Sequence, residues 1–564
     1  MTGKTYDFIV VGGGLAGSVV SSRLAESHPE QRILLIEAGS DREKNKNWNL
    51  KDAATAPLLV GTEYDWQDAT VPQLALRSRV ISSSSGKALG GGTVINRGGW
   101  MRGHKPDFDD WAELVRDHRW SYDGQLPYFK RVENVVDPCT DQAQHGVRGP
   151  ITVTSVSTTG RQYPLRNAVL KAWKELDIQH KPDGNSGDPL GVVEYHENRA
   201  NGDRQIASSC YSLNGVTVLT NSLVARVILE GTDAGCSYPV RAVGVRLADG
   251  TEYKATREII LSAGAYRSPQ LLMLSGIGCK TNLASHGIPA IIDLPEVGKH
   301  LKDHPMYSTY WKLRNPEEQG GLVLGSKNPL FTQPQFTTGN PVDWITTTSL
   351  PLEGLRKAVE KDEGIVDPIS SAGSQHPLLR TDRAFVELFV VYAASNPTDP
   401  VIPFDGSHIT ASIVGLQPTS EGTVKLASAN PHHGPLIDPQ YYTTEVDRYA
   451  IRDAVRRITK LFTQTSWSET IIAGETPSYQ FPPLHHGITD DEIDARIANS
   501  AASCYHSTGT TSMGLVVDGN LVVKGTENLR VVDAGVIPTT IAAHIQHAVY
   551  ALAEQAADII ASSI

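Results

Sequence analysis

Tyr6-Asp7-Phe8-Ile9-Val10-Val11-Gly12-Gly13-Gly14-Leu15-Ala16-Gly17 decides the fold, together with the residues that run on from it to Gly39. Asp7 to Val11 is a short, mostly apolar run and predicts a buried strand. Gly12 to Gly17 fits G-x-G-x-x-G, and Ser18 to Glu26 carries a helical pattern. Arg32 to Ile36 predicts a second buried strand, which ends in Glu37. Glycines here allow a tight turn and let bare backbone approach a pyrophosphate. The helix N-terminus then offers free N–H groups to the phosphates. Glu37 stands 20 residues beyond Gly17, where a carboxylate can hold a ribose hydroxyl. The glycines alone would suit any sharp turn. Set in a strand–turn–helix–strand unit closed by an acid, they predict an ADP-containing dinucleotide, FAD or NAD.

The 564 residues leave room for several domains of about 150 residues each. Forty per cent apolar and 20% charged residues is ordinary globular composition. A net charge of −11 argues against a nucleic-acid partner. No run approaches the roughly 18 apolar residues of a transmembrane helix. The first apolar run is broken by glycine after Val11, so no secretory leader is expected. Cys139, Cys210, Cys236, Cys279 and Cys504 are scattered and form no C-x-x-C pair. Neither a zinc site nor a disulfide framework is expected from them. The glycosylation triplet Asn396-Pro397-Thr398 is blocked by its proline. These features predict a cytoplasmic protein without membrane attachment. The closing Ser562-Ser563-Ile564 is a poor peroxisomal address.

A second glycine cluster, Gly86 to Trp100, follows the serines at 82–85. So much glycine implies close backbone approach, and a flat ring system is a good candidate to meet it. Val216 to Leu229 reads as strand, Val243 to Gly250 as a hairpin arm and turn, and Glu258 to Ser262 as another buried strand. Arg314 to Thr381 is rich in Pro, Gly and Thr and reads as loops and lids. His408–Leu416 and Gly422–Ala427 read as strands, and Val446 to Thr463 as helix. Leu529 to Asp533 is a buried strand, and Val549 to Ile560 has the period of a final helix. Strands of parallel type at both ends predict one sheet assembled from distant segments, with a second domain inserted between them.

Several of these blocks resemble the glucose–methanol–choline (GMC) flavoprotein oxidoreductases. Gly86 to Asp109 is similar to the family's first signature and Gly264 to Gly278 to its second. Val297-Gly298 with Leu301-Lys302-Asp303-His304-Pro305, His506 to Gly514, Leu529 to Pro538 and Ala553 to Asp558 follow in the family's order. The resemblance implies an α/β (α+β overall) fold. A Rossmann-like FAD-binding domain would take 1–155, 215–310 and 510–564. A substrate domain on an antiparallel sheet with helices, plus lids, would take 156–214 and 311–509.

It also implies FAD rather than NAD. Gly12, Gly14, Gly17 and Glu37 would hold the ADP half, with Val224 against the adenine. Asn96 and the glycine cluster would lie against the isoalloxazine, and Asp533 and Ala534 near the pyrophosphate and flavin. Leu15, Ala16, Ala38, Leu89, Gly91, Thr93, Gly98, Ala263 and Ile545 complete the expected contacts. Some relatives link FAD covalently through a histidine just before the Asn96 position. Ile95 stands there in this chain, so non-covalent FAD is expected.

Oxidising an alcohol removes a hydride from carbon and a proton from oxygen. That O–H is roughly as weakly acidic as water, near pKa 15.7. A neutral imidazole within hydrogen-bond reach can take the proton. By resemblance His506 is the general base and His544 its partner. His547, three residues on, is placed on the same helical face. Trp100 and Tyr505 are candidates to line a pocket for an aromatic substrate, with core packing equally open to each. His432-His433 and His485-His486 lack cysteine or carboxylate spacing, so no metal is expected. The activity implied is FAD-dependent oxidation of a small primary alcohol, aromatic, furanic or from secondary metabolism. Electrons would pass to O₂ or another acceptor. A cyanohydrin lyase of the same fold and a non-catalytic flavoprotein are the alternatives. A photodecarboxylase is disfavoured, because that branch lacks the histidine pair.

Overall fold

The computed structural model describes residues 4–41, 56–138, 140–231, 240–364, 376–380 and 383–563. Cys139, Cys236, Ile564 and part of the stretch 314–381 expected to form lids lie outside the described residues. Cys210, Cys279 and Cys504 are free thiols.

Thr5–Val11 sits at the centre of a parallel sheet. It pairs with Ile33–Ile36 on one side and with Glu252–Leu261 on the other. Val216–Leu219 extends the sheet beyond Ile33–Ile36, and Leu529–Val531 extends it beyond the far half of Glu252–Leu261. Phe8 to Val10 and Ile33 to Ile36 are all buried. A parallel sheet covered on both faces calls for such unbroken apolar runs. The near half of Glu252–Leu261 turns instead into an antiparallel meander with Val240–Leu247 and Val224–Glu230. Val216 to Leu229, read above as one strand, is therefore two, divided at Thr220–Leu223.

The helix Leu15–Ser27 packs on the last helix, Gln546–Ala561, and Arg23 grips the buried Glu554 with three hydrogen bonds. A Cβ at Gly17 would lie 1.9 Å from the Gly12 carbonyl oxygen. Only glycine lets the helix start so close to the strand that feeds it.

A second, antiparallel sheet runs in the order Ile472–Glu475, Pro305–Leu313, His408–Gly415, Val386–Val391, Trp344–Thr348, Gly191–Glu194. Helix Glu445–Thr463 packs on it. Pro305–Leu313 belongs wholly to this sheet, so the boundary expected at residue 310 falls inside a strand. The stretch 314–381 is also more regular than loops and lids. It holds the strand Trp344–Thr348 and the helix Leu352–Glu363. That strand is buried along its whole length, so it shows no polar–apolar alternation to read. No described helix is long and apolar enough to cross a membrane.

Candidate active site

A cavity of about 930 Å³ runs from the first helix to the antiparallel sheet. At one end the helix Leu15–Ser27 begins on Gly14 with no side-chain cap and no acidic residue in its first turn. Its leading N–H groups are left for a ligand. Gly12, at φ +103°, passes so close to Ser262 that a Cβ would sit 2.4 Å from that residue's carbonyl oxygen. A Cβ on Gly91 would sit 2.6 Å from the Gly14 Cα, so the two glycine clusters touch.

Glu37 is buried between them. Its Oε2 accepts from the Gly13 N–H at 2.8 Å and its Oε1 from the Gly39 N–H at 2.7 Å. Burial lifts its carboxyl to about 7 against the pull of these N–H groups. Asp533 is held likewise, accepting from the Gly264 N–H at 2.9 Å and the Gly535 N–H at 2.8 Å. Asn96 accepts from the Gly98 N–H at 3.1 Å and donates to Gln546 at 3.2 Å.

Of the expected cofactor residues, Gly12, Gly14, Leu15, Ala16, Glu37, Ala38, Gly91, Thr93, Asn96, Gly98, Val224, Ala263, Asp533, Ala534 and Ile545 line this cavity. Gly17 and Leu89 stand behind the wall: Gly17 seats the helix, and Leu89 packs beside Gly13. His506, His544 and Tyr505 line the other end, but Trp100 does not. Trp100 is fully buried, stacks on His547 with ring centroids 4.4 Å apart, and donates to Glu133 at 3.2 Å. It is a core residue, because its indole N–H finds a carboxylate only on the inner side.

Three histidines meet at the far end. The His506 ring lies 4.9 Å from His544 and 5.1 Å from His304, centroid to centroid. Nδ1 of His506 is 3.0 Å from Nδ1 of His304. The His304 ring also donates to the Leu416 carbonyl. A neutral imidazole has one N–H, so one of the two facing nitrogens donates and the other accepts. With the proton on Nδ1 of His506, its lone pair is on Nε2. That Nε2 lies 3.9 Å from the Cys504 sulfur. Burial, then the charge of His544 and of His304, holds His506 well below the ordinary histidine range.

His544 behaves oppositely. Burial works to lower its pKa, but Glu387 more than offsets this and raises it. The contact is 2.9 Å, from Nε2 to a carboxylate oxygen that is itself buried. Asp303 anchors the segment, accepting from the His506 backbone N–H at 2.7 Å and the Ser503 hydroxyl at 2.6 Å. The site thus pairs a neutral ring, its Nε2 met only by a thiol, with a ring that keeps its proton. That set can accept a proton from a hydroxyl while holding its oxygen. Cys504, His506 and His544 bring ligand atoms within 4.8 Å of one another. Burial pushes the Cys504 thiol well up, away from the thiolate a metal requires.

Residues 6–306 and 418–553 match the N- and C-terminal family profiles described as GMC oxidoreductase. The chain belongs to the GMC oxidoreductase family. A GMC-type oxidoreductase acuG of Aspergillus aculeatus is 40% identical over 99% of each chain. Pyranose dehydrogenase 3 of Leucoagaricus meleagris is 32% identical over 99% of this chain and 93% of its own. Among solved structures, formate oxidase superposes with a TM-score of 0.84 at 27% identity, covering 100% of this chain and 99% of the other. Pyridoxine 4-oxidase from Mesorbium loti gives 0.79 at 28% identity and 98% coverage of each.

The GMC oxidoreductases bind FAD, and the residues here fit it. An uncapped helix start, a glycine floor that a Cβ would fill and a buried acid beside them suit a pyrophosphate and its ribose. Sequence reasoning missed two members of this GMC site, Glu387 and Gln546, and assigned no role to two more, Asp303 and His304, which lie in the 301–305 block of the resemblance. Glu387 left a signal, since a carboxylate inside the apolar run Val386–Val391 must have a buried partner.

Proposed function

We propose that this oxidoreductase converts a small primary alcohol to the aldehyde, with His506 as general base and His544 as the donor that holds the substrate oxygen. The observation that carries the reading is the protonation split between the two rings at one cavity wall. His506 is kept neutral, with only the weakly donating Cys504 thiol beside its Nε2, while Glu387 keeps the proton on His544. The alcohol O–H gives its proton to Nε2 as the carbon loses hydride. FAD, when bound, supplies the two-electron acceptor, and O₂ or another oxidant then takes the electrons. Gly12, Gly14 and Glu37 would hold its ADP half, with Val224 beside the adenine. Asn96, Gly98 and Ile545 would flank the ring system, held without a covalent link because Ile95 offers no nucleophile.

An anaerobic screen of primary alcohols, followed by flavin absorbance and then by admission of air, tests the reading. Bleaching by an alcohol and recovery on reoxidation are expected. Aldehyde release from a cyanohydrin with the flavin unbleached throughout would replace it with a lyase. Acid precipitation is expected to leave FAD in the supernatant; flavin retained in the pellet would refute the non-covalent attachment.

A further inference from the structure

Beside the main cavity lies a second compartment that the proton chemistry does not use. It measures about 560 Å³ and adjoins the first at Arg97, Asn340, Pro341 and Phe404, which line both. Its lining carries two cations, Arg97 and Lys327, and no carboxylate. The carboxylates lining the larger compartment are Glu37 and Asp533, both at the dinucleotide end and both engaged by backbone N–H groups. The chain as a whole carries a net charge of −11. A lining with cations alone therefore runs against the average of its composition.

Arg97 and Lys327 are both exposed, and among the described residues neither has an ion pair or a side-chain hydrogen bond. Arg97 is fixed through its backbone instead. Its carbonyl accepts from Arg199 at 3.2 Å and from Asn340 at 2.8 Å, which leaves the guanidinium to the cavity. The charge also reaches the reacting end. Burial raises the Cys504 thiol and the Tyr505 phenol, and Arg97 is among the groups that oppose the rise. The cavity wall carries the apolar side chains of Val342, Ile345, Phe389 and Phe404, with Ile345 and Phe389 on the second sheet, beside the hydroxyls of Ser308, Tyr310, Thr410 and Ser412.

We infer that the alcohol this site takes carries a carboxylate at the end remote from its hydroxyl, received by Arg97 and steered inward by Lys327. The inference rests on the alcohol-oxidation reading above and names its substrate class. A planar guanidinium fork matches a carboxylate with two parallel hydrogen bonds. An ammonium at the mouth is a compact charge that raises the encounter rate and is screened by salt. The apolar side chains of the wall suit an aromatic or unsaturated body between the two ends. A cationic alcohol is rejected by like charge.

The test compares two alcohols of the same shape, 4-(hydroxymethyl)benzoate and 4-(hydroxymethyl)benzamide, on the holoenzyme. Anaerobic flavin reduction is expected to favour the benzoate in kcat/KM by about tenfold or more, the scale of one charge-assisted hydrogen bond. Arg97→Gln should remove most of that preference through KM, with the flavin spectrum unchanged, and Arg97→Lys should restore part of it. Lys327→Gln should lower kcat/KM for the benzoate only, and flatten its dependence on salt. Benzoate and benzamide themselves, titrated while following perturbation of the flavin absorbance, give a readout that needs no turnover. Tighter benzoate binding that Arg97→Gln abolishes supports the inference. Equal binding of the two, or a benzoate preference untouched by Arg97→Gln, overturns it. If neutral alcohols bleach the flavin with no carboxylate preference, the substrate class fails and alcohol oxidation stands. If benzoate binds through Arg97 but no alcohol bleaches the flavin, the anion site stands and alcohol oxidation fails.

Discussion

Two buried histidine clusters lie on either side of the segment that carries His544 and His547. His304, His506 and His544 share one carboxylate, Glu387, which touches only the last of them. His145 and His547 share Glu133, which also takes the Arg102 guanidinium at 2.8 Å and the Trp100 indole N–H at 3.2 Å. Asp183 closes that second cluster, 3.1 Å from His145. None of the core cluster's residues lines either cavity described above, although Nε of Arg102 and both ring nitrogens of His547 are buried without a hydrogen-bond partner. In the other, His506 and His544 line a cavity, and Nε2 of His506 meets only the Cys504 thiol. Neither residue type nor unspent hydrogen-bonding capacity separates the two; access to the cavity does.

The largest expected effect comes from exchanging the rings. His506→Ala should slow anaerobic flavin reduction by about 10²–10⁴-fold with a near-normal flavin spectrum. His547→Ala should leave the reduction rate of correctly folded protein within a few-fold and lower thermal stability instead. Stopped-flow rates that put the greater loss on His547 would reverse the assignment of the two clusters.

Glu133→Ala should destabilise by about 3–5 kcal/mol, because it strands the buried Arg102 guanidinium. Denaturant unfolding measures this; a loss under about 1 kcal/mol would mean that the core network is not satisfied through Glu133.

Glu387→Gln should cost less in stability and more in chemistry. Glu387 raises the pKa of His544, so the wild type keeps that ring protonated above the ordinary histidine range. Without the carboxylate, the alkaline limb of the kcat/KM profile should move to lower pH. Roughly ten- to hundredfold is expected at the wild-type optimum, the worth of one charge-assisted hydrogen bond. A profile that does not move would remove His544 from the proton bookkeeping.

The smallest effect is the pH dependence of stability in the core cluster. His145 is raised to about 9, so its contribution is complete below about 6.5 and fades as pH rises through 9. His547 is lowered to about 3. Its neutral form contributes above about 6.5, and that contribution drains as pH falls toward 3. The alkaline flank thus comes from His145, where burial is outweighed by Asp183 and Glu133, and the acid flank from the burial of His547, which Glu133 opposes. His145→Gln should flatten only the alkaline flank in melting curves taken from pH 6 to 9.

The parallel sheet was readable because its strands are buried on both faces and so appear as unbroken apolar runs, as Ile33–Ile36 does. Glycine made the cofactor end equally plain, since nothing with a Cβ fits at Gly12 or Gly17. The histidine end was only half legible. His506 and His544 came from resemblance, but Glu387 reaches His544 across 157 residues of chain, a distance no local pattern spans. His544 and His547 were placed on one helical face by spacing alone. The helix starts at Gln546, so His544 lies before it and turns to the cavity while His547 turns into the core. Trp100 failed for a related reason: its neighbours line the cavity, and its side chain points the other way.

The parallel pairing of Ile259–Leu261 with Leu529–Val531 has a consequence in time. Thr5–Val11 and its partner at 252–261 leave the ribosome long before the strand that completes their sheet. At the usual pace of synthesis, about 5–20 residues per second, the wait between residue 261 and residue 529 is roughly a quarter of a minute to a minute. Through that interval the nascent chain has an open sheet edge beside a half-built nucleotide floor. His506 is translated only in its final seconds and His544 just after it closes, so the proton-handling end of the cavity is completed late.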